Sequence, residues 1–289
     1  MNAAILLMAA VSAARGTSFI FSKQLMAGDL EPLNLLGVRS LIAFGVLMIF
    51  YGSRVIRAIR GEVHNLIAGA VLGFLYFVIM VLELNGLQQT TAATASFFEN
   101  PAVVLVPLAE AGLLRRLPDG RTILCSVLSL IGIGFIAAGG FSAGFGTGEI
   151  LCSIVALLYT GVIIITDREA KKYDPFVIGI LYVGFMGLFG IVGSFLTETV
   201  HMPVGMSQWF QMLMLAVICS SFGFAFQPVA QRTISTETAG LLTALNPLTT
   251  AVCGILILGE EFGPAKIIGA CLILTGIVLH NVKGAVTFR

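Results

Sequence analysis

The chain has 289 residues, of which 57% are hydrophobic and only 11% are charged, and its mean hydropathy is +1.00. A soluble domain carries roughly 25% charged residues, so this composition cannot cover a water-facing surface and predicts an integral membrane protein in contact with a lipid bilayer. The net charge of +1 is not gathered into a basic stripe, which argues against a nucleic acid as partner.

Ten apolar segments are long enough to cross the hydrocarbon core of a membrane, which is about 30 Å thick and needs about 20 helical residues. They cover approximately residues 3–27, 32–52, 65–88, 92–114, 121–140, 147–168, 175–197, 208–231, 236–258 and 264–283, and are numbered here as segments 1 to 10. The connections are too short for a soluble domain. The sequence therefore predicts a single all-α membrane domain of ten transmembrane helices.

The basic residues indicate how these segments are oriented. With ten crossings, twelve of them fall on the side of the two termini, and only Lys23 and Lys266 fall on the other side. The twelve are Arg54, Arg57, Arg60, Arg115, Arg116, Arg121, Arg168, Lys171, Lys172, Arg232, Lys283 and Arg289. Since basic residues accumulate in cytoplasmic loops, we expect a multi-pass protein of the cell (inner) membrane with both termini in the cytoplasm.

The two halves of the chain resemble each other in three places. Asn100-Pro101 recurs 146 residues later as Asn246-Pro247, about ten residues into its segment in both cases. The stretch 15–23 aligns with 160–168, and Glu31-Pro32 aligns with Asp174-Pro175. Because each half holds an odd number of segments, the second half must insert upside down, as in alternating-access transporters. The prediction is two inverted five-helix repeats, residues 1–141 and 146–285.

With these features the chain resembles, over essentially its whole length, the EamA-type branch of the drug/metabolite transporter superfamily. The marks of this resemblance are Arg15-Gly16 followed by Phe19 and Lys23, Arg39 in segment 2, the Ala/Thr-rich starts of segments 4 and 9 before Pro101 and Pro247, and Leu258-Gly259-Glu260. The family usually has an aromatic residue where this chain has Arg15. The resemblance implies a ten-helix transporter that commonly exports amino acids or other small polar metabolites. It also implies a central cavity lined mainly by segments 1, 3, 4, 6, 8 and 9.

Four ionisable residues lie at bilayer depth in the first half, namely Arg15, Arg39, Glu83 and Glu99. Each costs about 2.5–3.5 kcal/mol there, so such residues normally face the interior of the bundle or water. Glu99 is a candidate to bind an amine or carry a coupling proton, or else to form a structural ion pair with Arg39, at the same depth, or with Arg15. The two arginines could bind a substrate carboxylate or anchor the fold, and Glu83 could serve the site or the outer rim.

Uncharged residues complete the candidate site. A proline inside a membrane helix removes one backbone hydrogen bond, so Asn100-Pro101 and Asn246-Pro247 could bend their helices and offer free carbonyls to a substrate, or simply kink for packing. Gln227, before Pro228, is a similar position. The aromatic residues Tyr76, Tyr159, Phe97 and Phe98 could stack on a substrate or pack against neighbours.

Segment 7 carries four glycines at three-residue spacing, Gly184, Gly187, Gly190 and Gly193. A seam of small residues lets two membrane helices approach closely and slide. It predicts a packing surface, or a surface along which the helices move.

The sequence contains no catalytic constellation and no phosphate-binding glycine loop, and its five cysteines lack the spacing of metal ligands. We therefore expect neither an enzyme nor an ATP-driven pump, and no metal or other cofactor, which leaves a proton or the membrane potential as driving force. The predicted function is a secondary-active exporter of small polar metabolites such as amino acids or amines. Two alternatives stay open: an organic-cation exporter that exchanges protons at Glu99, and a non-transporting membrane scaffold or sensor. The sequence does not predict the oligomeric state.

Overall fold

The computed structural model describes residues 3–113, 115, 119–137, 146–258 and 263–284, and all regular secondary structure in these residues is helical. Part of the Leu258-Gly259-Glu260 motif, the glycine-rich connection 138–145 and the side chain of Phe97 lie outside the described part. The helices are α1 (Ala3–Gly16), α2 (Ser18–Met26), α3 (Pro32–Gly61), α4 (His64–Gln89), α5 (Ala92–Glu99), α6 (Ala102–Leu113), α7 (Gly120–Ala137), α8 (Thr147–Lys172), α9 (Pro175–Thr197), α10 (Gly205–Met214), α11 (Gln227–Gln231), α12 (Thr236–Leu242), α13 (Leu245–Leu258) and α14 (Pro264–Gly284), with a π-helical stretch Leu215–Phe224 between α10 and α11.

Seven helical stretches are long and apolar enough to cross a membrane, among the residues that the structure describes. They are Ala3–Met26, Pro32–Gly61, His64–Gln89, Thr147–Lys172, Pro175–Thr197, Gly205–Gln231 and Thr236–Ile257, and three apolar helices, Ala102–Leu113, Gly120–Phe135 and Ile267–His280, are shorter. Large apolar side chains such as Ile49, Leu157 and Leu256 point outward, with 81%, 63% and 78% of their surface exposed. The prediction of an all-helical, multi-pass membrane protein is confirmed, whereas the number of ten crossings stays a prediction.

Polar contacts between connections define two opposite faces of the bundle. On one face Arg54 forms an ion pair of 2.9 Å with Asp174, and Thr238 contacts His280 at 3.2 Å. This face also carries Lys172 and Arg232, and we call it the basic face. On the other face, called the opposite face, the Thr90 hydroxyl donates to Glu149 at 2.7 Å.

The opposite face is also tied together at the start of α3. Glu198, which follows α9, accepts hydrogen bonds of 2.9 and 2.8 Å from the backbone N–H groups of Leu33 and Asn34. Glu31 accepts hydrogen bonds from the backbone N–H and the hydroxyl of Thr199, and these bonds lower the pKa of the Glu31 carboxyl below its usual value. The two halves of the chain are therefore linked directly at this face.

The packing of the helices repeats when the two halves are exchanged. Helix α3 packs on its counterpart α9, and α7 packs on its counterpart α14. The contact of α4 with α9 is matched by that of the π-helical stretch with α3, and the contact of α4 with α8 by that of the same stretch with α1. This pattern is what two copies of one helical unit produce when they pack against each other in the same way.

The predicted glycine seam is a packing surface between α9 and α3. A Cβ atom on Gly190 would lie 2.8 Å from the backbone nitrogen of Gly37, and one on Gly37 would lie 2.6 Å from the backbone nitrogen of Ile191. Real Cβ atoms do not come this close to a backbone, so only glycine allows the two helices to cross at this distance.

Four of the predicted segments are interrupted rather than continuous helices, and segment 1 breaks at Thr17, between α1 and α2. Segment 4 breaks at Asn100-Pro101, between α5 and α6, and segment 9 breaks at Thr243-Ala244, just before Asn246. Segment 8 contains the π-helical stretch, in which the Ser221 hydroxyl donates to the carbonyl of Ala216 five residues earlier, at 2.9 Å. Irregular backbone at membrane depth occurs where it is buried in protein or lines a cavity, and π-helical turns occur often at functional sites.

Candidate functional site

The residues singled out from the sequence lie mostly in the interior of the bundle. Ten of the eleven are buried, and Pro101 is half-buried. The buried ones are Arg15, Arg39, Tyr76, Glu83, Glu99, Asn100, Tyr159, Gln227, Asn246 and Pro247. They come from α1, α3, α4, α5, α8, α11 and α13 and from the break after α5, so a few polar groups from both halves occupy an otherwise apolar core.

Arg15, in the last turn of α1, is surrounded by residues of the second half. Its guanidinium carbon lies 4.7 Å from the ring centre of Tyr159 and 4.4 Å from that of Phe224, and its Nη1 donates to the Oε1 atom of Gln227 at 3.1 Å. Contacts between a cation and the faces of aromatic rings are attractive and are stronger away from water. The Arg15 side chain is therefore held by two rings and one amide.

The aromatic rings around Arg15 form a connected group. The Tyr76 ring stacks on Tyr182 with centres 4.8 Å apart, and it meets Tyr159 and Phe224 edge to face at 6.3 and 5.5 Å. The Tyr182 hydroxyl donates to the backbone carbonyl of Phe224, at the end of the π-helical stretch. This group, which we call the aromatic box, brings together side chains of α4, α8 and α9 and one of the π-helical stretch.

The two buried glutamates lie together. Glu83 of α4 and Glu99 of α5 are close enough to interact, although no well-aligned hydrogen bond joins them, and both feel the charge of Arg15. A carboxylate has no donor, so a hydrogen bond between the two carboxyl groups would need a proton on the pair. The pair is therefore a candidate site for a proton inside the bundle.

An ion pair between Arg39 and Glu99, one of the alternatives from their equal depth, does not form. Arg39 is 1% exposed and donates instead to the hydroxyl of Ser22 at 3.4 Å and to the sulfur of Met80 at 3.1 Å. The acidic group that acts on it most is Glu83, on the neighbouring α4. Equal depth did not bring the two side chains together, because α3 packs mainly on α9, on the π-helical stretch and on α4.

Several buried polar atoms of these residues make no well-aligned hydrogen bond. They are the hydroxyls of Tyr76 and Tyr159, Nε2 of Gln227, Oε2 of Glu99 and Oδ1 of Asn246. The Tyr76 hydroxyl faces Gln227 and Thr166, but its bonds to them are not well aligned. Unpartnered buried polar atoms also occur elsewhere in the bundle, for example at Asn34 and Gln231, and the ones in this cluster are available to water or to a ligand.

The two Asn-Pro motifs have different surroundings. A Cβ atom on Gly16 would lie 2.5 Å from the Asn246 carbonyl oxygen, and the Thr250 hydroxyl donates to the Gly16 carbonyl at 2.9 Å, so α1 and α13 are in close contact. The equivalent glycine of the second half, Gly161, has no heavy atom within 4 Å of the same position. Asn100 instead donates to the Ser96 carbonyl of its own helix at 2.7 Å.

A cavity opens on each face of the bundle. The cavity on the basic face has a volume of about 990 Å³ and is lined by Leu7 of α1, Asn65 of α4 and Phe226 beside α11, among others. The cavity on the opposite face has a volume of about 500 Å³ and is lined by Met26 of α2 and Gln88 of α4, among others. Arg15, Tyr76 and Glu83 fall between these lining positions along α1, α2 and α4, so the buried polar residues separate the two cavities.

Sequence reasoning missed part of this site. Phe224 and Met80 carry no signal, because an apolar residue in an apolar segment is normally a packing residue. Tyr182 does stand out as a polar residue at membrane depth, but nothing in the sequence places its ring against Tyr76. The five cysteines are free thiols, and within the described residues no group of three His, Cys, Asp or Glu side chains is close enough to hold a metal ion.

Comparison with known proteins identifies the repeats. A model of the EamA-like transporter family matches residues 2–138 and again residues 146–282. An uncharacterized inner membrane transporter of Salmonella typhimurium, YicL, is 24% identical over 279 residues, which cover 91% of this chain and 90% of that protein. An uncharacterized transporter of Bacillus subtilis, YetK, is 23% identical over 96% of this chain and 86% of that protein.

Two further similarities concern an archaeal protein and a solved structure. An uncharacterized transporter of Archaeoglobus fulgidus is 22% identical over 74% of this chain and 68% of that protein. A crystal structure superposes on the whole of both chains with a TM-score of 0.80 and 16% sequence identity. That likeness establishes the fold but does not indicate a substrate.

Proposed function

Because the chain belongs to the EamA-like transporter family, we propose that it is a secondary-active transporter that exports small polar metabolites, such as amino acids or amines, by alternating access. The observation that carries this proposal is the buried polar cluster between two cavities on opposite faces. A transporter of this kind opens its central site to one face at a time. The proposed architecture is ten crossings in two inverted repeats, over residues 1–141 and 146–285.

The difference between the two Asn-Pro motifs supports alternation. One crossing, Gly16 against Asn246, is closed, and the equivalent position at Gly161 is open. Exchanging the conformations of two inverted repeats turns an opening on one face into an opening on the other. In the second state, Gly161 would close against Asn100 and Gly16 would separate from Asn246.

The pair of Glu83 and Glu99 supports coupling to protons. Each half of the transport cycle would expose the pair to a different face, so a proton taken up on one side is released on the other. By the positive-inside rule, the basic face with its larger cavity would lie on the cytoplasmic side of the cell (inner) membrane. Export then starts from this cavity.

Counterflow in liposomes tests the proposal. Purified protein is reconstituted, loaded with an unlabelled compound, and offered the radiolabelled form of amino acids, polyamines and organic cations, with and without a pH gradient. We expect exchange of an amino acid or amine that a pH gradient drives uphill. Exchange of organic cations alone would favour a cation exporter that exchanges protons at Glu99. The buried pair of Glu83 and Glu99 is the observation that favours this second candidate. No exchange of any compound would favour a scaffold or sensor.

A further inference from the structure

Arg15 is buried and forms no ion pair among the described residues, although the carboxyl groups of Glu83 and Glu99 are near enough to feel its charge. It is 6% exposed, and within the described part of the chain its side chain makes one hydrogen bond, to the neutral amide of Gln227. The ion pairs found among the described residues involve Arg54, His64, Lys171 and Lys172, all at the ends of helices, and none involves Arg15. A guanidinium has five donors, and burying its charge is expensive unless it is paired and hydrogen-bonded.

Three of the unpartnered polar atoms around Arg15 can donate a hydrogen bond. Tyr159 and Gln227 both contact the Arg15 side chain, and the Tyr159 hydroxyl and the Gln227 Nε2 atom have no hydrogen-bond partner. The Tyr76 hydroxyl, which faces Gln227, also makes no well-aligned hydrogen bond. These three side chains are 2%, 0% and 0% exposed. Guanidinium, amide N–H and two hydroxyls form a set of donors, and a ligand that complements such a set consists of acceptors.

We infer that the transported molecule carries a carboxylate that binds Arg15, Gln227, Tyr159 and Tyr76, and that Arg15 is the residue that determines this specificity. A carboxylate has acceptors only and matches the fork of a guanidinium in two parallel hydrogen bonds. A molecule with only a positive charge would be repelled by Arg15 and would leave these donors without an acceptor. The inference rests on the proposed transport function and adds the chemical class of the substrate.

The structure also provides a route to this site from the basic face. The cavity there is lined by Phe226 and Val229, which flank Gln227 and Pro228 in the chain. Its lining includes Arg232, which forms no ion pair among the described residues, whereas Arg54 of the same cavity is paired with Asp174. An anion entering from this face therefore meets a free positive charge before it reaches Arg15.

A binding measurement tests the inference without requiring transport. The full chain in detergent is titrated with each amino acid and with the matching amino acid amide, which keeps the ammonium and side chain but lacks the carboxylate. Thermal protection reports the affinity. We expect at least one amino acid to bind about tenfold or more tighter than its amide, since a hydrogen bond to a charged group contributes about 1.5–3 kcal/mol.

Variants assign this preference to Arg15. Arg15→Gln should abolish the difference between acid and amide, Arg15→Lys should keep part of it, and Tyr159→Phe, which removes one hydroxyl and keeps the ring, should reduce it. Arg57→Gln, an exposed position on α3, is the matched control and should keep it in full. An acid–amide preference that survives in Arg15→Gln, tighter binding of amides, or no protection by any acid would overturn the inference. A protein that binds acids in this assay but shows no counterflow would contradict the transport function alone.

Discussion

Glu99 is the residue on which proton coupling depends in this account. Its carboxyl lies beside that of Glu83 and has one oxygen without a partner, and both groups are buried between the two cavities. A glutamine at this position keeps the size and the hydrogen-bonding capacity of the side chain but cannot release a proton. The pair would then lose the exchangeable proton at Glu99 that couples transport to a pH gradient.

We expect Glu99→Gln to abolish uphill transport driven by a pH gradient while leaving counterflow without a gradient and the folded protein intact. Transport in proteoliposomes and elution from a size-exclusion column measure the two effects. Glu169→Gln, which removes a carboxylate paired with Lys172 at 3.1 Å near the end of α8, is the matched control and should transport normally. If proton dependence is unchanged in Glu99→Gln, Glu99 does not carry the coupling proton.

At this scale the sequence predicted some residues and not their partners. Arg15, Arg39, Glu83 and Glu99 stand out because a charge at membrane depth is costly, and all four are buried in the structure. Which charges meet is decided by the packing of helices, and a one-dimensional depth could not distinguish Glu83 from Arg39 as the neighbour of Glu99. Phe224, which contacts Arg15, is hidden from sequence reasoning because it is one apolar residue among many.

The crossing of α3 and α9 is the element on which both halves are built. Gly37 and Gly190 lie backbone to backbone there, and the connections before and after this pair of helices are fastened by Glu198 at one face and by Arg54 with Asp174 at the other. A contact fixed in this way is suited to a static scaffold, against which the helices that carry Arg15 and Asn246 can move.

Gly190→Ala should destabilise the protein, because its new Cβ atom would lie 2.8 Å from the backbone nitrogen of Gly37. Overpacking of this kind costs about 1–3 kcal/mol, which should appear as a lower midpoint of thermal unfolding in detergent. Gly45→Ala, on α3 at a position with no heavy atom within 4 Å, is the control and should be neutral or stabilising, since alanine favours helix over glycine. Equal midpoints for the two variants would mean that the crossing can adjust.

The helix breaks show which interruptions of a helix the local sequence can predict. Asn100-Pro101 predicted an interruption of segment 4 through the missing N–H of proline, and α5 and α6 separate at that point. In segment 9 the break lies at Thr243-Ala244, before the proline, so the same motif acts at a different position in each repeat. The π-helical stretch, which ends at Phe224 and packs against α1 and α3, has no comparable signal in the sequence.

For the whole molecule, the duplication was readable from three short matches, and it reappears as contacts that repeat when the halves are exchanged. The asymmetry between the halves was not readable in the same way. Gly16 and Gly161 align in the sequence, but one is pressed against Asn246 and the other faces open space. Such a difference belongs to a conformation, and one sequence has to encode both conformations of a transporter.

The central claim, alternating access, is tested most directly by measuring distances across both cavities in the same protein. Spin labels are placed at Gln88 and Val204 on the opposite face, and in a second variant at Glu62 and Thr233 on the basic face, with the five native cysteines replaced by alanine. Distance distributions are recorded in proteoliposomes without and with a substrate identified by counterflow. We expect one distance to lengthen as the other shortens when the substrate is added. Two distances that stay constant, or that change in the same direction, would contradict alternating access.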